Sequence, residues 1–176
     1  MLGMVDISVF RFINKAMANP VFDKLMPILT RLGTGEIILY VAIIIIIFAR
    51  RERKFSGVLL LAGLTVTYYV VDNMKNAFAV PRPFISLADV RMLVTKASGY
   101  SFPSGHSVTA FMAAAIASRC FRSGAAIWMA LAVIVAFSRV YIGVHYPSDV
   151  IFGALIGLII GYAIIKVSDN FRQQYN

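Results

Sequence analysis

The chain has only two histidines, and each stands where an apolar run begins or ends. His106 closes the string PSGH at 103–106, while His145 joins SRVYIGVH at 138–145 to HYPSD at 145–149. A further string, KNAFAVPRP at 75–83, carries Lys75 and Arg82. Singly, each polar residue has an ordinary account. Lys75 reads as a helix end whose ammonium snorkels to water, Arg82 as a loop cation, Arg139 as a partner of Asp149 or Asp72, and His106 as a packing residue. Together, three cations, two imidazoles and one carboxylate suit a phosphoryl group. Arginine grips two phosphate oxygens at once, and lysine supplies a point charge. Ser104 is a good helix N-cap and Gly105 leaves the backbone open to close approach, so the free N–H groups of a helix start would face the same anion.

A phosphoester must be attacked on one side while its leaving oxygen is protonated on the other, which gives two histidines distinct tasks. Pro147 reads as the first residue of a helix. Asp149 then lies in the first turn, four residues after His145, and can hold one imidazole nitrogen so that the other is aimed, the orienting logic of a catalytic triad. His106 has no such carboxylate, and its place at a helix start suits a general acid. Residue types alone leave open which histidine attacks.

The elements that must position these residues are membrane helices. Hydrophobic residues make up 60% of the 176-residue chain, and the mean hydropathy is +0.80, far above a soluble domain. Five blocks, at 35–49, 55–71, 107–117, 125–137 and 150–165, are almost free of charge. A spanning helix needs about 20 apolar residues, with about 17 tolerated; the shorter blocks reach that length through polar residues at their ends. The expectation is an all-α integral membrane protein, a bundle of five transmembrane helices preceded by amphipathic helices. A soluble bundle would show charged faces at helical period, and these blocks have none. Residues 21–32 place Val21, Phe22, Leu25, Met26, Ile28, Leu29 and Leu32 on one side and Asp23, Lys24, Thr30 and Arg31 on the other, which predicts a helix lying in the interface, with a tilted sixth span as the alternative. No basic n-region with a cleavage site precedes it, so no removed signal peptide is expected. The division is therefore an interfacial region at 1–33, a catalytic membrane domain at 34–168 and a polar tail at 169–176.

The net charge of +9 has no soluble basic domain to carry it, so anionic lipid, not nucleic acid, is the expected partner. Arg50, Arg51, Arg53, Lys54, Arg119, Arg122, Lys166 and Arg172 crowd one side of the bundle, read as cytoplasmic. The other side carries nine basic residues against these eight, but four belong to the amphipathic region and Lys75, Arg82 and Arg139 to the polar strings. Those strings therefore converge at one depth on the outer side. Between them, residues 84–102 form a loop whose Arg91 and Lys96 fit either a headgroup-recognising lid or a plain surface segment. Gly153, Gly157 and Gly161 recur every four residues, which permits close helix packing. A lone cysteine, Cys120, excludes an intrachain disulfide.

The three strings together resemble the signature of the type 2 phosphatidic acid phosphatases and vanadium haloperoxidases: K-x6-RP, PSGH and SR-x5-H-x3-D. Lys75, Arg82 and Pro83, then Pro103 to His106, then Ser138, Arg139, His145 and Asp149 match it in order at every specified position. The resemblance runs from about residue 35 to 168. It implies that His145 is the nucleophile, oriented by Asp149, and that His106 protonates the leaving group and then activates water. It further implies that Lys75, Arg82, Ser104, Gly105 and Arg139 bind phosphate, and that neither metal nor other cofactor takes part. The haloperoxidase branch holds vanadate with the same residues, but two histidines leave none spare for halide oxidation. The bacterial phosphatase branch implies a cytoplasmic-membrane enzyme whose site faces the periplasmic or extracellular side. Undecaprenyl pyrophosphate is its first expected substrate, with lipid A 1-phosphate, phosphatidylglycerophosphate or phosphatidic acid as alternatives. A non-enzymatic transporter or channel would explain intramembrane cations but not their spacings.

Overall fold

The computed structural model describes residues 3–95 and 97–174. Helix α1 (Met4–Arg11) runs into a π-helical turn and is followed by α2 (Pro20–Leu29), a 3-10 turn (Thr30–Gly33) and α3 (Gly35–Phe48). Then come α4 (Arg51–Phe78), the single turn α5 (Pro83–Ser86), α6 (Gly105–Cys120), α7 (Ala125–Tyr141) and α8 (Pro147–Gln174). All five apolar blocks are helical. Local chemistry sets their starts: the Asn19 side-chain Oδ1 accepts from Val21 and Phe22 N–H at 3.1 and 2.9 Å, with Pro20 at the first helical position. Thr34 and Ser104 cap α3 and α6 in the same way. Helix α4 closes on Ala79, whose left-handed φ of 47° sends the chain towards Pro81 and Pro83.

Among the described residues, three helical stretches are long and apolar enough to cross a membrane, Arg53–Ser86 (most of α4 and on through α5), Arg122–Tyr141 (α7 with the turn before it) and Pro147–Phe171 (α8), and α2 with α3 qualifies as one span bent by 56°. The protein is thus a multi-pass membrane protein. Helix α6 has only 16 residues, about 24 Å of rise. It is the most enclosed helix, with Val108, Met112 and Ile116 fully buried, so most of its length faces protein rather than lipid. The polar tail expected from residue 169 is an extension of α8 as far as Gln174.

The amphipathic helix at the N-terminus is present, but its faces are divided differently from the helical wheel. Val21, Leu25, Ile28 and Leu32 of the apolar side are exposed. Two residues of the polar side turn into the protein: Thr30 is buried, and Asp23 accepts hydrogen bonds from Tyr141 Oη and Arg91 Nη1, both at 2.7 Å. The reason is that a carboxylate or hydroxyl beside acyl chains has no donor or acceptor, whereas the protein offers both. Asn14, fully buried, donates to the Arg91 and Tyr141 carbonyls at 2.8 Å. Asp6 accepts from Ser148 N and Oγ at 2.9 and 2.7 Å, at the start of α8. The N-terminal segment is packed into the bundle.

Helices α6 and α8 form the axis of the fold. Gly153, Gly157 and Gly161 let them approach backbone to backbone. A Cβ on Gly153 would stand 3.0 Å from the Ser104 carbonyl oxygen, and one on Gly157 3.0 Å from the Met112 nitrogen. The spacing of four therefore serves packing, and it fixes the starts of α6 and α8 against each other. Gly157→Val should lower the melting temperature of the detergent-solubilised protein, at a cost of about 1–3 kcal/mol. Gly3→Ala, with nothing within 4 Å, should leave it unchanged; circular dichroism on heating checks both.

Candidate active site

Lys75 lies in the last turn of α4, and its ammonium donates to the Tyr100 carbonyl. Arg82 follows in the extended stretch before α5 and is only 5% exposed. Its guanidinium is held by neutral acceptors: Nε donates to Gly99 O at 2.9 Å, Nη2 to Ser98 O at 2.8 Å and Nη1 to Val144 O at 3.1 Å. Nη1 also lies 3.3 Å from His145 Nε2.

That last distance, with the contact on the other ring nitrogen, assigns the His145 tautomer. Arginine has donors only, so Nε2 must accept; a carboxylate has acceptors only, so Nδ1 must carry the proton. Nδ1 faces Asp149 Oδ2 at 3.3 Å, with both side chains almost wholly enclosed, at 2% and 1% exposure. Oδ2 also accepts from Tyr146 N at 2.8 Å and from Ser101 Oγ. The result is an imidazole whose Nε2 lone pair is aimed at the Arg82 guanidinium and whose far side can stabilise a positive ring.

Ser104 is fully buried. Its N–H donates to the Asp149 carbonyl at 3.1 Å, and its Oγ accepts from Ser107 Oγ at 3.0 Å and from Ser107 N at 3.4 Å. Gly105 and His106 line a cleft of about 290 Å³ together with Lys75, Asp72, Thr67 and Val71. The His106 imidazole makes no hydrogen bond among the described residues, while its backbone rests on the 3-10 turn, where a Cβ on Gly33 would be 3.0 Å from His106 O.

Arg139, in the last turn of α7, is 6% exposed. It pairs with neither Asp149 nor Asp72. Asp149 Oδ2 has three donors and its Oδ1 is buried with none among the described residues, and Asp72 is exposed, against Asn76 at 3.4 Å. Nη1 instead donates to Thr30 Oγ1 at 2.8 Å, and Nε is buried without a partner among the described residues. Ser138, beside it, spends its hydroxyl on the Val135 carbonyl at 2.6 Å. All three cations are thus held by neutral acceptors, and none of them is paired with a carboxylate among the described residues. An arrangement with this excess can bind a tetrahedral anion, attack it from Nε2 and protonate its departing oxygen from His106.

The structure brings Arg82, His145, Asp149 and Ser104 into one hydrogen-bonded network, with Lys75, Gly105 and His106 on the adjoining cleft and Arg139 acting on it by charge. Sequence reasoning missed Ser101, Thr30 and the carbonyls of residues 98–100. Ser101 had a weak signal, a hydroxyl two residues before PSGH; Thr30 had none, lying far away on the polar side of an amphipathic helix. The loop at 84–102 is not a free lid at its middle. Arg91 is engaged by Asp23 and by the Asn14 carbonyl and lies over the Tyr141 ring at 5.1 Å, whereas Lys96 lies outside the described residues. At the outer edge of the loop, the hydrogen bond from Lys15, helped by Arg11 at 3.6 Å, holds the Asp89 carboxyl below its ordinary range.

Comparison with known proteins agrees with this geometry. The family model of the PAP2 superfamily matches residues 56–173. The undecaprenyl-diphosphatase BcrC of Bacillus subtilis is 30% identical over 162 residues, covering 88% of this chain and 79% of that protein. The crystal structure of Aquifex aeolicus LpxE superposes with a TM-score of 0.85 at 33% identity, covering 93% of this chain and 96% of that one. That of a PAP2-type phosphatidylglycerolphosphate phosphatase from Bacillus subtilis gives 0.79 at 26% identity, covering 96% and 88%. With a matching family model over most of its length and these relatives on nearly all of it, the chain belongs to the PAP2 superfamily and is a membrane phosphatase.

Proposed function

We propose that the protein hydrolyses the terminal phosphate of a membrane lipid phosphate or pyrophosphate through a phosphohistidine on His145, with undecaprenyl pyrophosphate as first substrate. The observation that carries the reading is the unbalanced charge: Lys75, Arg82 and Arg139 converge where Asp149 is the one carboxylate in contact with the network. Buried cations of this kind call for an anion. Lys75, the two arginines, the Ser104 hydroxyl and the Gly105 N–H take the non-bridging oxygens, which draws Arg82 Nη1 away from the His145 lone pair. Nε2 then attacks phosphorus, the bond to the lipid oxygen breaks, and that oxygen takes a proton from protonated His106. Asp149 stabilises the ring, which becomes cationic as the P–N bond forms. In the second half, water gives its proton to His106 and attacks phosphorus, the P–N bond breaks, and orthophosphate leaves with Nε2 restored.

The lipid part of the reading is supported by the cleft, which sets Leu64 and Val71 beside Lys75 and His106, so an apolar chain can run from the phosphate along α4. The pyrophosphate part is supported by the name of the Bacillus subtilis undecaprenyl-diphosphatase. A second substrate class, phosphatidylglycerolphosphate, is favoured by the likeness to a phosphatase of that name; lipid A 1-phosphate and phosphatidic acid share its monoester chemistry. In this reading the site faces outward from a bacterial cytoplasmic membrane, on the side opposite the basic α3–α4 and α6–α7 links.

Phosphate release from a panel of purified lipid phosphates and pyrophosphates in detergent tests the substrate. Undecaprenyl pyrophosphate should give the highest kcat/KM; a monoester preferred tenfold would transfer the assignment to the second class. Brief reaction with ³²P-labelled substrate should leave acid-labile, base-stable label on the wild type and on His106→Ala but none on His145→Ala. Each substitution should lower kcat by roughly 1000-fold or more. Thr30→Val removes the acceptor from Arg139 Nη1 and should raise KM roughly tenfold, the equivalent of about 1.4 kcal/mol, with the phosphohistidine still formed.

A further inference from the structure

The mechanism above uses Asp149 to orient His145 but leaves Ser101 unused. Ser101 is fully buried in the loop between α5 and α6, close to both members of that pair. Its Oγ lies 2.5 Å from Asp149 Oδ2 and 3.4 Å from His145 Nδ1. A carboxylate cannot donate, so the hydroxyl proton goes to Oδ2 and an Oγ lone pair is left facing the Nδ1 proton. Nδ1–H is thereby shared between two acceptors, and the ring is fixed in its plane as well as in its tautomer.

The backbone around Ser101 ties this contact to the cations. Its N–H donates to Val80 O at 2.7 Å, two residues before Arg82. The three carbonyls just ahead of it hold the phosphate-binding side chains: Ser98 and Gly99 accept from Arg82, and Tyr100 accepts from Lys75. Gly99, at φ 68°, makes the turn that such successive orientation requires, in a region that side chains rarely enter. Four consecutive residues thus contact the first string through their backbone and the third through one hydroxyl.

We propose that Ser101 is a positioning residue, a third member of the His145–Asp149 assembly, whose hydroxyl sets the nucleophile's aim through Asp149 and whose backbone sets the cations in register with it. The proposal rests on His145 being the nucleophile. Ser101 touches neither the phosphate nor the leaving oxygen, so its removal acts on the rate of phosphohistidine formation and not on substrate capture.

Single-turnover phosphorylation and steady-state kinetics on Ser101→Ala, Ser101→Thr, Asp149→Asn and the Ser101→Ala/Asp149→Asn pair test it. Ser101→Ala should lower kcat and the phosphohistidine formation rate by roughly tenfold, with KM within twofold of wild type. Ser101→Thr, which keeps the hydroxyl, should recover most of that loss. In the Asp149→Asn background, Ser101→Ala should cost less than twofold, because the group it acts through is already altered. Wild-type kcat in Ser101→Ala, or a loss that multiplies fully with that of Asp149→Asn, would overturn the proposal. So would equal losses in the Ala and Thr variants when both melt as the wild type does. His145→Ala run alongside separates the two readings: if it retains turnover, the nucleophile assignment fails, whereas if it is inactive and Ser101→Ala is normal, only the positioning role does.

Discussion

The site is held together by positive charge that the protein leaves without a matching carboxylate. Arg82 and Arg139 are buried and Lys75 is half-buried, and a surplus of this kind costs several kcal/mol unless something compensates it. Compensation comes from dipoles: four backbone carbonyls on Arg82 and Lys75 from residues 98–100 and 144, and one hydroxyl, that of Thr30, on Arg139. Carbonyl and hydroxyl oxygens accept hydrogen bonds without cancelling charge, so the cations are positioned yet remain available to an anion. Carboxylates at the same places would hold them as firmly and neutralise them. The carboxylate in the hydrogen-bonded network, Asp149, is turned to the back of His145, where it serves the ring and not the arginines.

This economy makes demands on the scaffold. The carbonyls must arrive from a loop pinned at both ends, which Asn14, Asp23 and Arg91 do on one side and the Ser101–Val80 hydrogen bond does on the other. Asp149 must stand at the start of α8 at the depth of Ser104 at the start of α6. The glycine contacts between those helices set that depth, and the Ser104 N–H to Asp149 carbonyl bond locks it. Packing deep in the bilayer and hydrogen bonding at its surface are thus parts of one constraint.

Much of the fold and the site was legible in the sequence, for identifiable reasons. Charge-free blocks mark helices because lipid gives the backbone no other way to satisfy itself. His145 and Asp149 are separated by one helical turn, with Pro147 marking its start, so their meeting needs only local geometry. The partner of Arg139 was not legible, because the candidates in the sequence were charged, whereas the observed one is a neutral threonine from the turn before α3. Asp23 and Thr30 were misread because a helical wheel assumes that polar means outward, an assumption that fails where outside is hydrocarbon. Ser101 has only a weak signature, its nearness to PSGH, and the carbonyls of 98–100 have none: any residue has a carbonyl, and only the path of the chain decides which ones face inward.

The contact between Thr30 and Arg139 has a consequence for where the working unit begins. The region shared with the superfamily starts at residue 56, yet a side chain well ahead of it supplies the one acceptor to which the Arg139 guanidinium donates among the described residues. Asp6, earlier still, caps the helix that bears Asp149. A chain excised at the family boundary would keep every motif residue and lose the groups that hold two of them. The smallest functional piece of this protein is therefore defined by its hydrogen bonds and not by its recognisable motifs.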